Sequence, residues 1–273
     1  MLDVNSGDPQ ADAHLLRLPG SDPILIDAGD PQKNLVQLLK KEKVTALSQV
    51  LISHAHKDHY EGLTAIVDSG ISVGGVYFNL PPQAVCDKER PWGCDYGHVQ
   101  ALLKFLQLKK IPVVAVKEGD VIVSGDGFSL AVAFLLDPKT TPLAHFDIND
   151  LSQILRLNVG KSTVLFTGDL NRAYGDFLVE RGVNLKADIL KVPHHGTDSV
   201  VSNEFFDRVG AKLALVPGPK KLWESERSER IRNYFLKHKV EIHIGGIEGR
   251  VSVKFGNKGF NVTSERTAKK KSR

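Results

Sequence analysis

His54-Ala55-His56-Lys57-Asp58-His59 (HAHKDH) places three imidazoles and a carboxylate within six residues. The string comes directly after the apolar run of residues 47–53 (LSQVLIS), which has the composition of a buried strand, and precedes a helical pattern at residues 62–68. Side chains on extended backbone repeat with period two, so His54 and His56 can turn both rings to one side. Those nitrogens can hold one divalent ion, while Asp58 and His59, turned by the following loop, hold a second. Imidazole and carboxylate ligands suit zinc, manganese or iron. The competing reading is a surface histidine run that binds nothing.

Two further stretches have the same position at the end of an apolar strand. Phe166-Thr167-Gly168-Asp169 closes the run at residues 162–167 and leaves a carboxylate at its tip. Alone this is a common turn; beside HAHKDH, Asp169 reads as a carboxylate giving one oxygen to each of two ions. Val192-Pro193-His194-His195-Gly196-Thr197 succeeds the buried-type strand at residues 187–192. Adjacent histidines point apart, so one of His194 and His195 ligates while the other meets substrate or a supporting group. Open α/β sheets place their sites at such strand ends. Lys57 and Lys191 are candidate phosphate contacts, with solvated lysines as the plainer reading. Ser53 and Thr167 read as supports for the strand ends.

Around these three stretches the pattern alternates between strand and helix. Residues 13–18, 23–28, 75–80, 113–123, 128–136 and 213–216 read as strands, and residues 241–262 as closing strands. Residues 31–43, 98–108, 204–209 and 226–239 read as helices, and residues 152–157 and 162–167 as a hairpin across Asn158-Val159-Gly160-Lys161. With no repeat and no long linker, residues 1–265 read as one α/β domain of two sheets packed between helical layers.

Composition sets the outer bounds. The chain has 273 residues, 41% hydrophobic and 25% charged, enough for a substantial core, and no apolar run of membrane-spanning length. No basic segment with an apolar stretch after it opens the chain, so no export signal is read. The net charge of +4 is concentrated at one end: Arg266, Lys269, Lys270, Lys271 and Arg273 fall within residues 266–273, leaving 31 basic against 32 acidic residues before them. That tail reads as solvated and disordered, or as an arm attracting a polyanion such as nucleic acid. Cys86 and Cys94 bracket a turn-rich loop and are too few for a zinc ribbon. A loop-closing disulfide would place the chain in an oxidising compartment, exported or periplasmic; two free thiols would suit the cytoplasm.

In order, HAHKDH, FTGD and KVPHHGT resemble the metallo-β-lactamase superfamily. Within it the likeness is to the metal-binding domain of the competence DNA-uptake channel ComEC and its free-standing relatives. Supporting segments are Leu2-Asp3-Val4, Leu25-Ile26-Asp27-Ala28-Gly29, HAHKDHYEGL at residues 54–63 and NDLSQIL at residues 149–155. The resemblance implies an αββα sandwich of two mixed β-sheets between helical layers. It implies two zinc or manganese ions on His54, His56, Asp58, His59, Asp169 and one of His194/His195. It implies a hydroxide shared by the two ions as nucleophile, with Asp58, Asp169, His194 and His195 in catalytic roles.

Departures are also visible. The opening turn is altered at residues 5–13, Gln153 stands where an apolar residue is usual, and no histidine occupies the third-motif place. His145 is the near candidate for it and His98 a remote one. The function expected is hydrolysis of a phosphodiester, in nucleic acid or another substrate. The alternatives are a lactonase, a thioester or phosphocholine esterase, or a non-catalytic metal-binding module of a DNA-uptake or secretion assembly. The missing third-motif histidine argues against a class B lactamase. The length leaves no room for the inserted domain of a β-CASP nuclease, and no arm typical of transfer-RNA 3′ processing enzymes is visible.

Overall fold

Apolar residues alternate between two buried faces along the central strands, and this alternation builds three cores rather than one. The computed structural model describes residues 1–5, 10–30, 34–89, 93–137 and 146–266. In chain order the strands are β1 (His14–Leu16), β2 (Ile24–Ile26), β3 (Ala46–Leu47), β4 (Gln49–Ile52), β5 (Ser72–Val73), β6 (Val76–Phe78), β7 (Val113–Val114) and β8 (Val121–Gly125). They continue with β9 (Phe128–Phe134), β10 (Ile154–Val159), β11 (Ser162–Phe166), β12 (Ile189–Lys191), β13 (Leu213–Val216), β14 (Glu241–Ile244), β15 (Val251–Gly256) and β16 (Gly259–Ser264). One sheet has the order β1-β2-β4-β6-β7 and the other β14-β13-β12-β11-β10-β9-β8. Both are mixed: β1/β2 and the β8–β11 pairings are antiparallel, while β2/β4/β6/β7 and β11/β12/β13/β14 are parallel.

Ile24, Ile26 and Leu51 of the first sheet face Leu155, Leu157, Val164, Phe166, Ile189, Leu213 and Leu215 of the second, forming the core between the sheets. The alternate residues Leu25, Val50 and Ile52 pack against helices α1 (Leu35–Lys41), α3 (Gly62–Asp68) and α5 (Tyr96–Leu108), beyond the one-turn α2 (Lys57–Tyr60) and with α4 (Gln83–Lys88) alongside. On the far side Leu165, Leu190, Ala214 and Val216 pack against α6 (Arg172–Glu180), α7 (Asn203–Val209) and α9 (Glu229–Lys237). Strands apolar on both faces belong in the middle of such a stack, and the result is the expected αββα sandwich. Two short helices, α8 (Lys220–Glu224) and α10 (Gly245–Glu248), complete the set.

Several boundaries differ from the sequence reading. The run at residues 47–53 splits at Ser48, whose Oγ donates to the Asp22 carbonyl (2.9 Å): Ala46–Leu47 pairs with β5 and Gln49–Ile52 with β2 and β6. Residues 113–123 are not one strand, because Lys117 N donates to Asp120 Oδ2 (2.8 Å) and turns the chain between β7 and β8. The β10–β11 turn is two residues, not four, with Val159 already opposite Ser162. Closing strands at residues 241–262 are interrupted by α10. Cys86 and Cys94 lie at disulfide distance, as the first of the two readings of this pair requires. Among the described residues no helix is long and apolar enough to cross a membrane.

Candidate metal centre

Four strands end at one place. β2 delivers Asp27, β4 delivers Ser53 and the HAHKDH string, β11 delivers Asp169, and β12 delivers Lys191 and His195. Since β2 and β4 lie in one sheet and β11 and β12 in the other, the site straddles the sandwich at the carboxyl edge of both sheets. Gln153 ties the two edges together: its N donates to the Ser53 carbonyl (2.8 Å) and its Nε2 to the Ile52 carbonyl (2.9 Å). An amide at this unusual position thus joins the sheets where an apolar side chain would only fill space.

Each of four histidines has one ring nitrogen held by a neighbour and the other turned inward. His54 Nδ1 lies 3.0 Å from Ser53 Oγ, His56 Nε2 2.8 Å from Glu89 Oε2, and His59 Nδ1 2.9 Å from Asp27 Oδ2. His195 Nδ1 donates to the Pro217 carbonyl at 2.7 Å. The remaining nitrogens converge. His54 Nε2 and His56 Nδ1 are 3.1 Å apart. His59 Nε2 and His195 Nε2 stand 3.3 and 3.1 Å from Asp169 Oδ2, and Asp58 Oδ2 lies 3.2 Å from His195 Nε2. Asp58, His59, Asp169 and His195 thereby form one group able to hold a metal ion. His54 and His56 form an adjoining pair, with the His54 and His59 ring centroids 4.1 Å apart.

The fit to divalent ions rests on those inward nitrogens. His59 Nε2 and His195 Nε2 are buried and make no hydrogen bond, although carboxylates stand beside them. An imidazole whose far nitrogen is fixed by a carboxylate or carbonyl presents its lone pair in one direction, which is the usual support of a metal-ligating histidine. Asp58, His59, Asp169 and His195 thus offer ligand atoms within reach of one ion, and His54 and His56 adjoin them.

In the metal-free chain the neighbouring charges act on these same groups. Burial opposes charge on His59 and His195, yet Asp169, Asp27 and Asp58 around the first, and Asp169, Asp12 and Asp58 around the second, hold both well above the ordinary imidazole value. Burial also opposes charge on Asp169, but His195, His59 and Lys191 keep its carboxyl well below the usual range. His54 is pushed well down, by burial first and then by His59 and His56. The buried carboxylates favour positive charge beside them, which the metal-free chain meets with Lys191 and with protons on His59 and His195.

Some expectations need correction. Lys191 is not a solvated lysine: it is 1% exposed, ion-paired with Asp12, and its Nζ lies 2.6 Å from the Gly168 carbonyl and 3.2 Å from Asp169 Oδ1. Asp169 thus turns Oδ1 to Lys191 and Oδ2 to His59 and His195. His194 does not join the group. Its Nδ1 lies 2.9 Å from Asn171 Oδ1, and Asn171 Nδ2 in turn donates to Asp147 Oδ2 (2.8 Å). His194 and His195 both have left-handed backbone, φ 45° and 56°, which costs roughly 1–2 kcal/mol per residue and sends the rings in different directions. Ser53 and Thr167 do support strand ends, since Thr167 Oγ1 donates to the Lys191 carbonyl (2.8 Å). Lys57 is the lysine that stays partly exposed, 4.0 Å from Glu61 Oε1. His98 sits exposed on α5, 3.7 Å from Asp95 Oδ2 and away from the group. His145 lies outside the described residues.

Sequence reasoning assigned no role to Asp12, Asp27, Glu89 or Lys191's ion pairs. Asp12 and Asp27 lie in or beside the segments that carry the family likeness, so a signal existed; Glu89 had none beyond standing between two cysteines. Asp27 takes a left-handed φ of 58°, held by its N donating to the Leu51 carbonyl and by Ser53 N donating to Oδ1 (2.7 Å). Gly168 is needed for a similar reason. At φ 51°, a Cβ there would stand 2.5 Å from Ser152 Oγ, the hydroxyl that receives Asp169 N.

No protein-family model matches the chain. It is 22% identical over 228 residues to ComE operon protein 3 of Bacillus subtilis (strain 168), covering 83% of this chain and 27% of that protein. Over 254 residues it is 23% identical to competence protein ComA of Neisseria gonorrhoeae, covering 90% of this chain and 31% of that one. The chain thus spans under a third of the length of these curated relatives. Among solved structures, the metallo-β-lactamase fold protein YhfI from Bacillus subtilis aligns with a TM-score of 0.54 at 16% identity, over 95% of this chain and 93% of that one. The chain has the metallo-β-lactamase fold, and the curated proteins it resembles are competence proteins of the ComEC type.

Proposed function

We propose that residues 1–265 form one domain that is a metal-dependent hydrolase, holding two divalent ions, zinc or manganese, and acting on phosphodiesters such as nucleic acid. The observation that carries this reading is the set of four histidines, each with its outer nitrogen capped: the inner nitrogens of His59 and His195 face Asp169 Oδ2, and those of His54 and His56 face each other. His54, His56, Asp58, His59, Asp169 and His195 would hold the ions. Such ions supply Lewis acidity and activate water for attack.

The chain's own groups do the rest. Lys191 and Asp12 fix Asp169, and Asp27 fixes His59. Asp147 accepts from Asn171 Nδ2, so Asn171 Oδ1 faces His194 and receives its Nδ1 proton. Burial holds His194 below the ordinary imidazole value, so its neutral ring has Nε2 as the acceptor, able to take a proton and pass it to the leaving oxygen. The preference for a phosphodiester over a lactone or thioester rests on the likeness to competence proteins. The Cys86–Cys94 disulfide supports an oxidising compartment, exported or periplasmic.

The test is metal content together with cleavage of bis-(p-nitrophenyl) phosphate and of single- and double-stranded DNA, for wild type and Asp169→Ala. Two ions per wild-type chain and cleavage that falls to background in the variant are expected. Bound metal without phosphodiester cleavage would move lactone and thioester substrates, or a non-catalytic module, to the front. A chain that takes up no metal would overturn the reading.

A further inference from the structure

Glu89 reaches the centre from neither a strand end nor a recognisable motif. It sits at the end of α4, inside the nine-residue loop closed by Cys86 and Cys94, and both cysteines are buried in the first-sheet core. Its two oxygens are fully engaged. Oε1 accepts from Ile148 N (2.9 Å), just ahead of the strand pair that delivers Asp169; Oε2 accepts from Cys94 N (3.2 Å) and meets His56 Nε2 at 2.8 Å. Glu89 N donates to the Cys86 carbonyl (3.1 Å) and Gly93 N to the Glu89 carbonyl (2.9 Å). Any Cβ at position 93 would lie 2.2 Å from Oε2 and 2.8 Å from the Glu89 Cβ, so this approach of residue 93 to Glu89 suits a glycine.

A carboxylate only accepts, so Glu89 fixes the His56 tautomer with its proton on Nε2. That leaves Nδ1 with its lone pair, 3.1 Å from His54 Nε2. Asp27 does for His59 what Glu89 does for His56.

We propose that Glu89, presented by the disulfide-closed loop, is a positioning residue that prepares the His54/His56 pair to bind a divalent ion, and that breaking the disulfide weakens that binding. The inference rests on the metal-centre reading above. It assigns a purpose to the Cys86–Cys94 bridge: the bridge holds Cys94 N, and through it Glu89, at a fixed distance from His56. Removing a carboxylate that supports a metal-ligating histidine typically weakens metal affinity about 10–100-fold.

The test is titration of metal-free protein with Zn2+ against a chromophoric chelator, for wild type, Glu89→Ala, Glu89→Gln and Cys86→Ala/Cys94→Ala, with circular dichroism as the check on folding. Nitrogen-15 spectra of the histidine rings report the His56 tautomer independently of any turnover. The expected result is two sites in wild type. In Glu89→Ala and the double cysteine variant, one of the two should weaken about 10–100-fold while the other is unchanged, with His56 losing its fixed Nε2 proton in Glu89→Ala. Glu89→Gln keeps the shape of the side chain but cannot satisfy Ile148 N, Cys94 N and His56 together; it should fall between, and it decides the matter if Glu89→Ala does not fold. Two sites of wild-type affinity in every folded variant would overturn the role of Glu89 and leave the metal centre standing. No Zn2+ bound by wild type would overturn both.

Discussion

Lys191 shows most directly how a single side chain sets up this site. A lysine at the end of a strand usually reaches water, yet this ammonium is enclosed by Asp12, Asp169 and the Gly168 carbonyl, and its pKa is raised well above its usual value because those carboxylates outweigh burial. Asp12 is correspondingly held low by Lys191 and His195 against the effect of burial. An ion pair of this kind is held in place less by its own energy than by the cost of breaking it. Lys191→Met should therefore destabilise the metal-free chain by about 3–5 kcal/mol, because Asp12 and Asp169 lose their shared cation. Urea unfolding measures this, and a midpoint unchanged from wild type would show that the pair is not required.

At the scale of elements, the helix after β11 matters as much as the strand itself. α6 begins shortly after Asp169, and the first backbone donors of this segment are met by Asp150: Oδ1 accepts from Asn171 N and Tyr174 N, both at 3.2 Å. Burial, with Asp147 beside it, pushes the Asp150 carboxyl from 3.8 up to about 7 despite those donors. The folded chain therefore binds this proton more tightly than the unfolded chain. The resulting stability is fully present below the unfolded value near 4 and is lost as pH rises toward 7. Wild type should lose stability across that window, and Asp150→Asn, which keeps an acceptor for the helix and has no charge to bury, should flatten the profile. Chemical denaturation at a series of pH values reads both curves; parallel curves would show that Asp150 titrates normally. The same element is preceded by Asn171, which links this network to His194.

For the whole molecule, the centre lies across the seam of the sandwich. Asp27 and the HAHKDH residues belong to one sheet, Asp169 and His195 to the other, and Gln153 is the backbone and side-chain tie between them. Ions held by both sheets would bind the folded chain and not the unfolded one. At a free metal concentration 100-fold above Kd, that linkage adds about 2.7 kcal/mol per site. Chelation should accordingly lower the thermal midpoint by several degrees, and added Zn2+ or Mn2+ should restore it. Differential scanning calorimetry at matched protein concentration tests this, and a midpoint indifferent to chelator would show that no ion joins the two sheets.

HAHKDH, FTGD and KVPHHGT, each at the end of an apolar strand, pointed to the fold class and to side chains, Asp58, His59, Asp169 and His195, that the structure gathers. They could do so because both signals are local: strand periodicity repeats every two residues, and ligand residues sit within a few positions of a strand end. The choice between His194 and His195 was not local. It depended on Pro217 and Asn171, 22 and 23 residues away in sequence, capping the two rings differently. Glu89 was invisible because its only signal is the loop that brings it 2.8 Å from a histidine 33 positions earlier. Lys191 was misread because nothing in KVPHHGT shows that Asp12, far back in the chain, fills the space beside it. Ligand type and strand register are written in short stretches of sequence; the tautomer of each ring and the partner of each buried charge are set by residues that only the packing of two sheets brings into contact.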